Sequence, residues 1–483
     1  MSSGEDGRRS RGRRHWRIVL LIPLGLVLLA VAAWRIAGST FEARLQARID
    51  EYRRLGQPAT LADLKPAPVD PSDNAALALK EAARLIVLDR RQELVADRPN
   101  PQWLQEQPEM LAEIVRINVP AIQKAHQARA MKGVDWELDY SSFVALTNSS
   151  MGLSKTRSLC YLLASTAHWE AQAGQDSESV ACVRDILRAG RIVNQIPSLT
   201  GDLTHTAITS LACRTVEGVM PYWDLSDPQT RQGAEALLKE LLDESDFFAA
   251  GERAWLGGRA ATVDLLLNAP RGRFCVSLEY LEDVLKAPLY QRDLLRELDN
   301  DTQMAEAVTQ PSYPQAVAML PPSVGTTRVS RFLRPLSSIG ENSWPKVVTL
   351  RYSALDRRRL AAAGLAMAMF RADHGAEAKE LTALVPQYLP AVLTDPFSAE
   401  GAPIRLAGDE PARVYSVNLD GVDDGGHEGK TIDSGDVAFY LAGGRKWPLD
   451  PNVLQEVARL AEGSATAPAT GSSGPSDGLA PQE

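Results

Sequence analysis

The chain has 483 residues, a formal net charge of −9, 45% hydrophobic residues, four cysteines and six histidines. This length allows two or three domains with real cores, and the composition excludes a collagen, a mucin or a multi-span transporter. The sequence pI near 5.4 argues against a protein that coats nucleic acid, so no nucleic-acid partner is predicted.

The first predicted element is a membrane anchor. Residues 1–17 carry six arginines and two acids, a local charge of 6 − 2 = +4, and residues 18–34 carry no charge. As a helix this apolar run would be about 26 Å long, close to the ~30 Å hydrocarbon core of a bilayer. The basic side should stay in the cytoplasm. The sequence therefore predicts a cytoplasmic tail over 1–16, a transmembrane helix over 17–35 and an extracytoplasmic bulk.

A cleaved signal peptide is the alternative interpretation, because Val31, Ala32 and Ala33 offer a small-residue cleavage site. The uncleaved anchor is favoured because the apolar run is longer than a usual signal peptide's and the chain continues as an amphipathic helix. The predicted location is the bacterial inner membrane, with one span and the bulk of the chain in the periplasm. Apolar residues at helical spacing predict the helix that follows the anchor: Phe41, Leu45, Ile49, Tyr52 and Leu55.

A helical domain is predicted over 36–308. A Gly-Gln-Pro sequence at 56–58 ends its first helix, and one of the residues 72–74 caps the next. Residues 151–269 contain successive apolar stripes separated by turns. They predict an irregular array of α-hairpins, an architecture suited to packing or to binding a protein partner.

The four cysteines, which include Cys160 and Cys275, contain no C-x-x-C pair, so neither a zinc nor a redox motif is predicted. An extracytoplasmic compartment permits disulfides, and counting along the helices brings Cys182 and Cys213 to about the same level. Two alternatives stay open, a Cys182–Cys213 bond and buried free thiols, and the thiols are favoured.

Two patterns raise the hypothesis of a hydrolase. Asp135, Glu137 and Asp139 alternate with large apolar residues, but this period of two is also typical of an extended segment that leaves its acids in water. Ser343 and Lys346 form an S-x-x-K motif, but Ser343 also fits the N-cap of the helix behind it. No catalytic residue is predicted, and a protein without enzymatic activity is favoured.

A Pro-rich connecting loop is predicted over 309–345, and a strong helix follows over 346–374. Further on, a strand at 413–418 leads into a turn dense in glycine and aspartate. Glycines let carbonyls converge, and several carboxylates suit a hard cation such as calcium, which takes six to eight oxygens. The alternative is an ordinary Asp/Gly hairpin that binds no ion.

Residues 374–442 contain YLP at 388–390, DPF at 395–397 and the Asp/Gly turn, in that order. This stretch resembles the C-terminal calcium-loop region of the major pseudopilins of type II secretion. The resemblance implies a small α+β cap with a short antiparallel sheet within 346–449. It also implies a calcium ion as cofactor, with carboxylate and carbonyl ligands from Asp420, Asp423, Asp424, Asp436, Leu419 and Val422.

The N-terminal part departs from the pseudopilin pattern, because its apolar run contains no acid and no short leader precedes it. Processing and filament assembly are therefore not implied. The layout as a whole resembles uncharacterised membrane-anchored helical proteins of planctomycete-type bacteria, in the Gly-Gln-Pro at 56–58, the Asp-Asn-Ala-Ala at 73–76, the Gly-Glu-Arg at 251–253 and the tail at 415–426. That resemblance implies an architecture and no activity.

The predicted fold class is mainly α, with an N-terminal transmembrane helix, an irregular α-hairpin array and the C-terminal α+β cap. A short helix over 450–462 and a disordered tail over 463–483 complete the chain. The favoured function is a membrane-anchored extracytoplasmic scaffold or partner-binding protein without catalytic activity, stabilised by calcium. The alternatives are an accessory component of a type II secretion or pilus-like machine and, third, a hydrolase of unknown substrate.

Overall fold

The computed structural model describes residues 39–89, 107–150, 152–268, 280–322, 343–429, 434–443 and 445. The protein is mainly helical, with a small three-stranded antiparallel sheet near the C-terminus, as predicted. Within the described ranges no helix combines the length and the apolar character needed to cross a membrane. The predicted span at 17–35 lies outside the described residues, as do the helix predicted over 450–462 and the tail after it.

The helices are numbered in chain order, and the longest ones lie in the middle and late parts of the chain. The first, α1, covers residues 39–54. The others are α2 Ala75–Arg84, α3 Pro108–Ile117, α4 Val119–Ala130, α5 Phe143–Ser149, α6 Leu153–Gln172, α7 Asp176–Val193, α8 Leu199–Val219, α9 Pro228–Leu242, α10 Ser245–Asn268, α11 Tyr280–Ala307, α12 Tyr313–Ala318 and α13 Trp344–His374.

The α1 helix follows its predicted apolar stripe. Phe41, Leu45, Ile49 and Tyr52 are buried and pack with residues of α10 and α11. Leu55 departs from the prediction, since its side chain is 54% exposed. The reason is local: the helix stops at residue 54, so the stripe does not extend to the next turn.

In the array from α6 to α9, α7 packs on all three of the other helices, α6, α8 and α9. Gly174 lies between α6 and α7 with φ +71°, a left-handed conformation that glycine adopts without a steric cost. Asn74 caps α2, because its side-chain oxygen accepts a hydrogen bond of 3.1 Å from the peptide nitrogen of Ala76. These turns and caps lie where the sequence places them.

The sheet has strand order β1-β2-β3, with β1 at Arg405–Ala407, β2 at Arg413–Ser416 and β3 at Val437–Tyr440. In the register, Val414 lies opposite both Leu406 and Phe439. The strand predicted over 413–418 is therefore shorter than expected and occupies the centre of the sheet.

The α13 helix connects the helical array with this sheet. It contacts α8 and α9 on one side and β2 and β3 on another, and one buried cluster contains Leu159, Leu360 and Phe439. Gly364 permits the contact with the sheet, since a Cβ atom there would lie 2.2 Å from Cε1 of Phe439. The helical array and the cap consequently share one core.

The segment before α13 differs in part from the predicted 309–345 loop. A short helix, α12, lies inside it, whereas residues 323–342 lie outside the described part of the chain. The α13 helix begins at Trp344, close to the predicted start, and ends at Gly375, which has φ +69°.

Three arginines surround the turn between α9 and α10, and we call this group, Arg191, Arg358 and Arg359, the arginine clamp. Arg358 donates hydrogen bonds of 2.7 Å to the carbonyl of Leu241 and of 2.7 Å to that of Glu240, and it also contacts the carbonyl of Asp243. The carbonyls at the end of a helix lack partners inside the helix. Arg358 supplies those partners from α13, and Arg191 of α7 adds a hydrogen bond of 2.8 Å to the carbonyl of Glu240.

The clamp also pairs with acids beyond the turn. Both oxygens of Glu244 accept hydrogen bonds of 2.7 Å from Arg359. Asp246 pairs with Arg191 at 2.9 Å and with Arg358 at 3.1 Å. Every arginine of the clamp therefore binds both a carboxylate and a backbone carbonyl.

Candidate metal centre

The predicted metal ligands lie in the connection between β2 and β3, described at 417–429 and 434–436. We call this connection the acidic loop. Ser416 and Val437 are paired across the two strands and form its neck. Asn418 has φ +56° and donates a hydrogen bond of 3.0 Å from Nδ2 to the carbonyl of Gly435. This bond joins the two ends of the loop next to the neck.

Asp436 is the most buried acid of the loop, with 2% of its surface exposed. Its Oδ2 accepts hydrogen bonds from the peptide nitrogens of Asp424, at 3.0 Å, and Gly426, at 2.6 Å. Its Oδ1 is buried and has no hydrogen-bond partner among the residues that the structure describes. Burial, together with the negative charge of Asp423, raises the pKa of Asp436. This unpartnered oxygen is the strongest indication of a bound cation in the loop.

Asp420 binds the backbone of the residue that precedes Asp436. Its Oδ2 accepts a hydrogen bond of 3.0 Å from the peptide nitrogen of Gly435, and its Oδ1 accepts one of 3.1 Å from that of Val422. Asp420, near the start of the loop, thus binds backbone near its end, and Asp436, at its end, binds backbone of the earlier part.

Asp423 is engaged by side chains outside the loop. Its Oδ1 accepts hydrogen bonds from the Tyr415 hydroxyl at 3.2 Å and from the peptide nitrogen of Gly425 at 3.0 Å. Its Oδ2 pairs with Nε of Arg405 at 3.0 Å. A cation that recruited Asp423 would have to compete with Arg405 for this carboxylate.

The remaining predicted ligands are placed as follows. Asp424 contributes its peptide nitrogen to Asp436, and its carbonyl lies 2.7 Å from Nδ1 of His427. Val422 is at the exposed tip, with 54% of its surface accessible. Leu419 packs against the core cluster around Phe397 and Val417. The loop therefore brings the backbone of Asp424 to the Asp436 carboxylate and the backbone of Gly435 to the Asp420 carboxylate, while Asp423 pairs with Arg405.

Among the described residues, no three His, Cys, Asp or Glu side chains are arranged to hold a metal ion. Calcium also takes carbonyl and water oxygens, so this finding does not decide for or against it. The residues fit a hard cation in one respect: the loop contains a buried carboxylate oxygen that has no donor within the described ranges.

Sequence reasoning missed Arg413, which fastens the loop from β2. This buried side chain donates a hydrogen bond of 2.8 Å to the carbonyl of Gly426 and one of 2.9 Å to the carbonyl of Gly425. It thereby places a positive charge beside the loop glycines. An arginine at the start of the strand that leads into the loop was the available signal.

The residues of the hydrolase hypothesis have local roles. Ser343 occupies the N-cap position of α13 without a side-chain capping bond, and both Ser343 and Lys346 are exposed. One oxygen of Asp135 accepts a hydrogen bond of 2.8 Å from the peptide nitrogen of Glu137, and Asp139 accepts one of 2.9 Å from that of Ser141. These carboxylates stabilise a turn-rich segment.

The described cysteines are thiols. Cys160, Cys182 and Cys213 are free and buried, so the alternative of a Cys182–Cys213 disulfide does not hold in this structure. The Cys182 thiol lies 3.3 Å from Oε2 of Glu170, and burial raises its pKa. Cys275 lies outside the described residues.

Comparison with known proteins adds no relative. The chain matches no protein-family model, no curated protein and no solved structure.

Proposed function

We propose that this protein is a membrane-anchored extracytoplasmic scaffold without catalytic activity, and that calcium stabilises its C-terminal loop. The observation that carries the calcium part is the unpartnered Oδ1 of Asp436 inside the acidic loop. Leaving a buried carboxylate oxygen without a partner is unfavourable. A calcium ion would neutralise this oxygen, with Asp420 and Asp424 of the same loop as further ligands.

The scaffold part is supported by the way polar side chains are used in the core. The arginine clamp and the Arg351–Asp202 ion pair join α13 to α8, α9 and α10. These charged groups are already bound to other residues of the same chain, and they hold its helices together. The N-terminal anchor, at residues 17–35, is proposed from the sequence alone.

The calcium part is tested by thermal unfolding of the full chain in an uncharged detergent, first with EDTA and then with calcium. A ligand at 100 times its dissociation constant adds ~2.7 kcal/mol to the free energy of unfolding. Calcium should therefore raise the melting temperature by several degrees. Magnesium should have a smaller effect, because it is smaller and keeps more of its water.

The variants that locate the effect are Asp436→Asn and Asp420→Asn, with Glu400→Gln as the matched control. Glu400 is an exposed acid of the same region and lies outside the loop. The calcium shift should disappear in the two loop variants and persist in the control. A wild-type shift that survived in Asp436→Asn would place the ion elsewhere, and no shift at millimolar calcium would reject the calcium part.

The scaffold part is tested by purifying the full chain from native membranes with its partners. Stable co-purification of envelope proteins, independent of added substrates, is the expected result. Enrichment of secretion-machine components would instead favour the accessory of a type II secretion machine. Hydrolysis of ester or amide substrates by the purified chain would contradict the absence of catalysis.

A further inference from the structure

A pocket of about 410 Å³ lies between the end of α4, the middle of α7 and the end of α9. We call it the basic pocket, because one acid, Glu240, lines it together with several cations. On α7 the positions 184, 188 and 191 fall on one helix face, since residues three and four apart are neighbours there. The cations are Arg129, Lys132, Arg184, Arg188 and Arg191.

Three of these cations are held by carboxylates. Arg184 binds Oε1 of Glu240 through Nε at 3.0 Å and through Nη2 at 2.7 Å. Arg191 pairs with Asp246 at 2.9 Å, and Arg129 lies 3.3 Å from Asp185. The ion pairs fix the walls of the pocket and neutralise these three charges.

The other two cations, Arg188 and Lys132, form no ion pair within 4 Å among the described residues. Arg188 donates to the carbonyl of Met131, but its Nε is buried and has no acceptor in the described part of the chain. Burial and the charge of Arg191 lower the pKa of Arg188. A buried donor without an acceptor is unfavourable, and a ligand oxygen would supply the missing one.

We propose that the basic pocket binds the phosphate of a small phosphate monoester. A monoester phosphate carries nearly two negative charges at pH 7 and three acceptor oxygens, which match the two cations that lack carboxylates. The planar guanidinium of Arg188 suits two parallel hydrogen bonds to phosphate oxygens. The volume holds a phosphate group with a small organic substituent.

A phosphate group can come from a soluble metabolite or from a lipid headgroup, and charge distinguishes the two. A phospholipid headgroup such as glycerophosphoglycerol is a diester with one negative charge, whereas glycerol 3-phosphate is a monoester. Two cations without carboxylates should prefer the monoester by at least tenfold.

The test is isothermal titration calorimetry on the full chain in an uncharged detergent, at ionic strength held constant with sodium chloride. The probes are inorganic phosphate, glycerol 3-phosphate, glycerophosphoglycerol and succinate. Saturable binding of phosphate and glycerol 3-phosphate is expected, with the diester and succinate at least tenfold weaker. Equal binding of the diester would assign the pocket to lipid headgroups, and equal binding of succinate would reject the preference for phosphate.

The variants Arg188→Gln and Lys132→Gln should each weaken phosphate binding at least tenfold. Arg188→Lys keeps the charge without the planar fork, so it should retain part of the affinity and shows that the site still folds. Lys155→Gln removes an exposed charge on α6, away from the pocket, and should change nothing. Unchanged phosphate affinity in Arg188→Gln, or no saturable binding by the wild-type chain, would overturn the proposal.

Discussion

The turn between α9 and α10 and the acidic loop each reverse the direction of the chain and each contain many polar groups. The hydrogen-bond partners of those groups differ between the two places. At the turn, Arg358 meets three carbonyls and Asp246. In the acidic loop, carboxylates meet peptide nitrogens and Arg413 meets carbonyls, but Oδ1 of Asp436 has no partner among the loop residues described or elsewhere in the described chain. A completed network stabilises the fold, whereas an incomplete one marks the place where a ligand would add stability.

The largest expected effect is at the clamp. Arg358→Met would leave the carbonyls of α9 and the Asp246 carboxylate without a buried partner, and removing one member of such a network costs about 3–5 kcal/mol. Urea unfolding measures this loss of free energy. Arg357→Met, one residue earlier on α13 and less buried, is the control and should cost below about 1 kcal/mol. Equal losses in the two variants would show that the clamp is not a completed structural network.

The second expected effect is a loss of folding stability in acid, caused by a histidine buried beneath the clamp. Burial lowers the pKa of His205 to about 4, with Asp246 and Asp202 opposing and Arg351 and Arg358 adding to the shift. The unfolded chain takes up a proton near pH 6.5, and the folded chain does so only near pH 4. Stability present above pH 6.5 is therefore lost on acidification toward pH 4, by roughly 3 kcal/mol at ~1.36 kcal/mol per pH unit.

The measurement for His205 is the free energy of unfolding against pH, compared with His205→Gln. The variant cannot take up this proton, so its stability should fall less steeply between pH 6.5 and 4. Parallel curves for the two proteins would mean that His205 is protonated in the folded chain, and that the interior under the clamp admits water.

The smallest effect tests whether the two regions belong to one cooperative unit. Gly364→Ala forces a Cβ against Phe439 of β3, and overpacking of this kind costs about 1–3 kcal/mol. Gly258→Ala in α10 has its nearest atom at 4.0 Å, so it should be neutral or stabilising by up to ~1 kcal/mol. Phe439→Leu added to Gly364→Ala should recover part of the loss. If hydrogen exchange rose only around the sheet in Gly364→Ala, the loop and the clamp would unfold separately.

Local patterns in the sequence predicted much of the fold. The stripe of α1, the cap at Asn74, the turn at Gly174 and the end of α13 at Gly375 each depend on a few neighbouring residues. Such features follow from side-chain spacing and backbone preference, which are present in the chain before it folds.

The buried arginines of α13 could not be predicted in this way. Arg351, Arg358 and Arg359 are charged residues, a type that is mostly exposed, yet all three are buried. They are buried because α13 is covered by helices on one side and by the sheet on another, and their partners lie more than a hundred positions earlier. The same holds for the candidate sites: the acids of the loop were visible as a local cluster, whereas the basic pocket combines α4, α7 and α9.

The place of α13 in the chain has a consequence for the order of folding. Synthesis runs from the N-terminus, so α8 and α9 emerge long before the helix that covers them. Until residues near 370 have been made, the faces of α8 and α9 that α13 contacts and the carbonyls at the end of α9 lack this cover. The nascent chain then exposes apolar surface. Truncation before α13 should therefore produce an aggregating fragment rather than a smaller soluble protein.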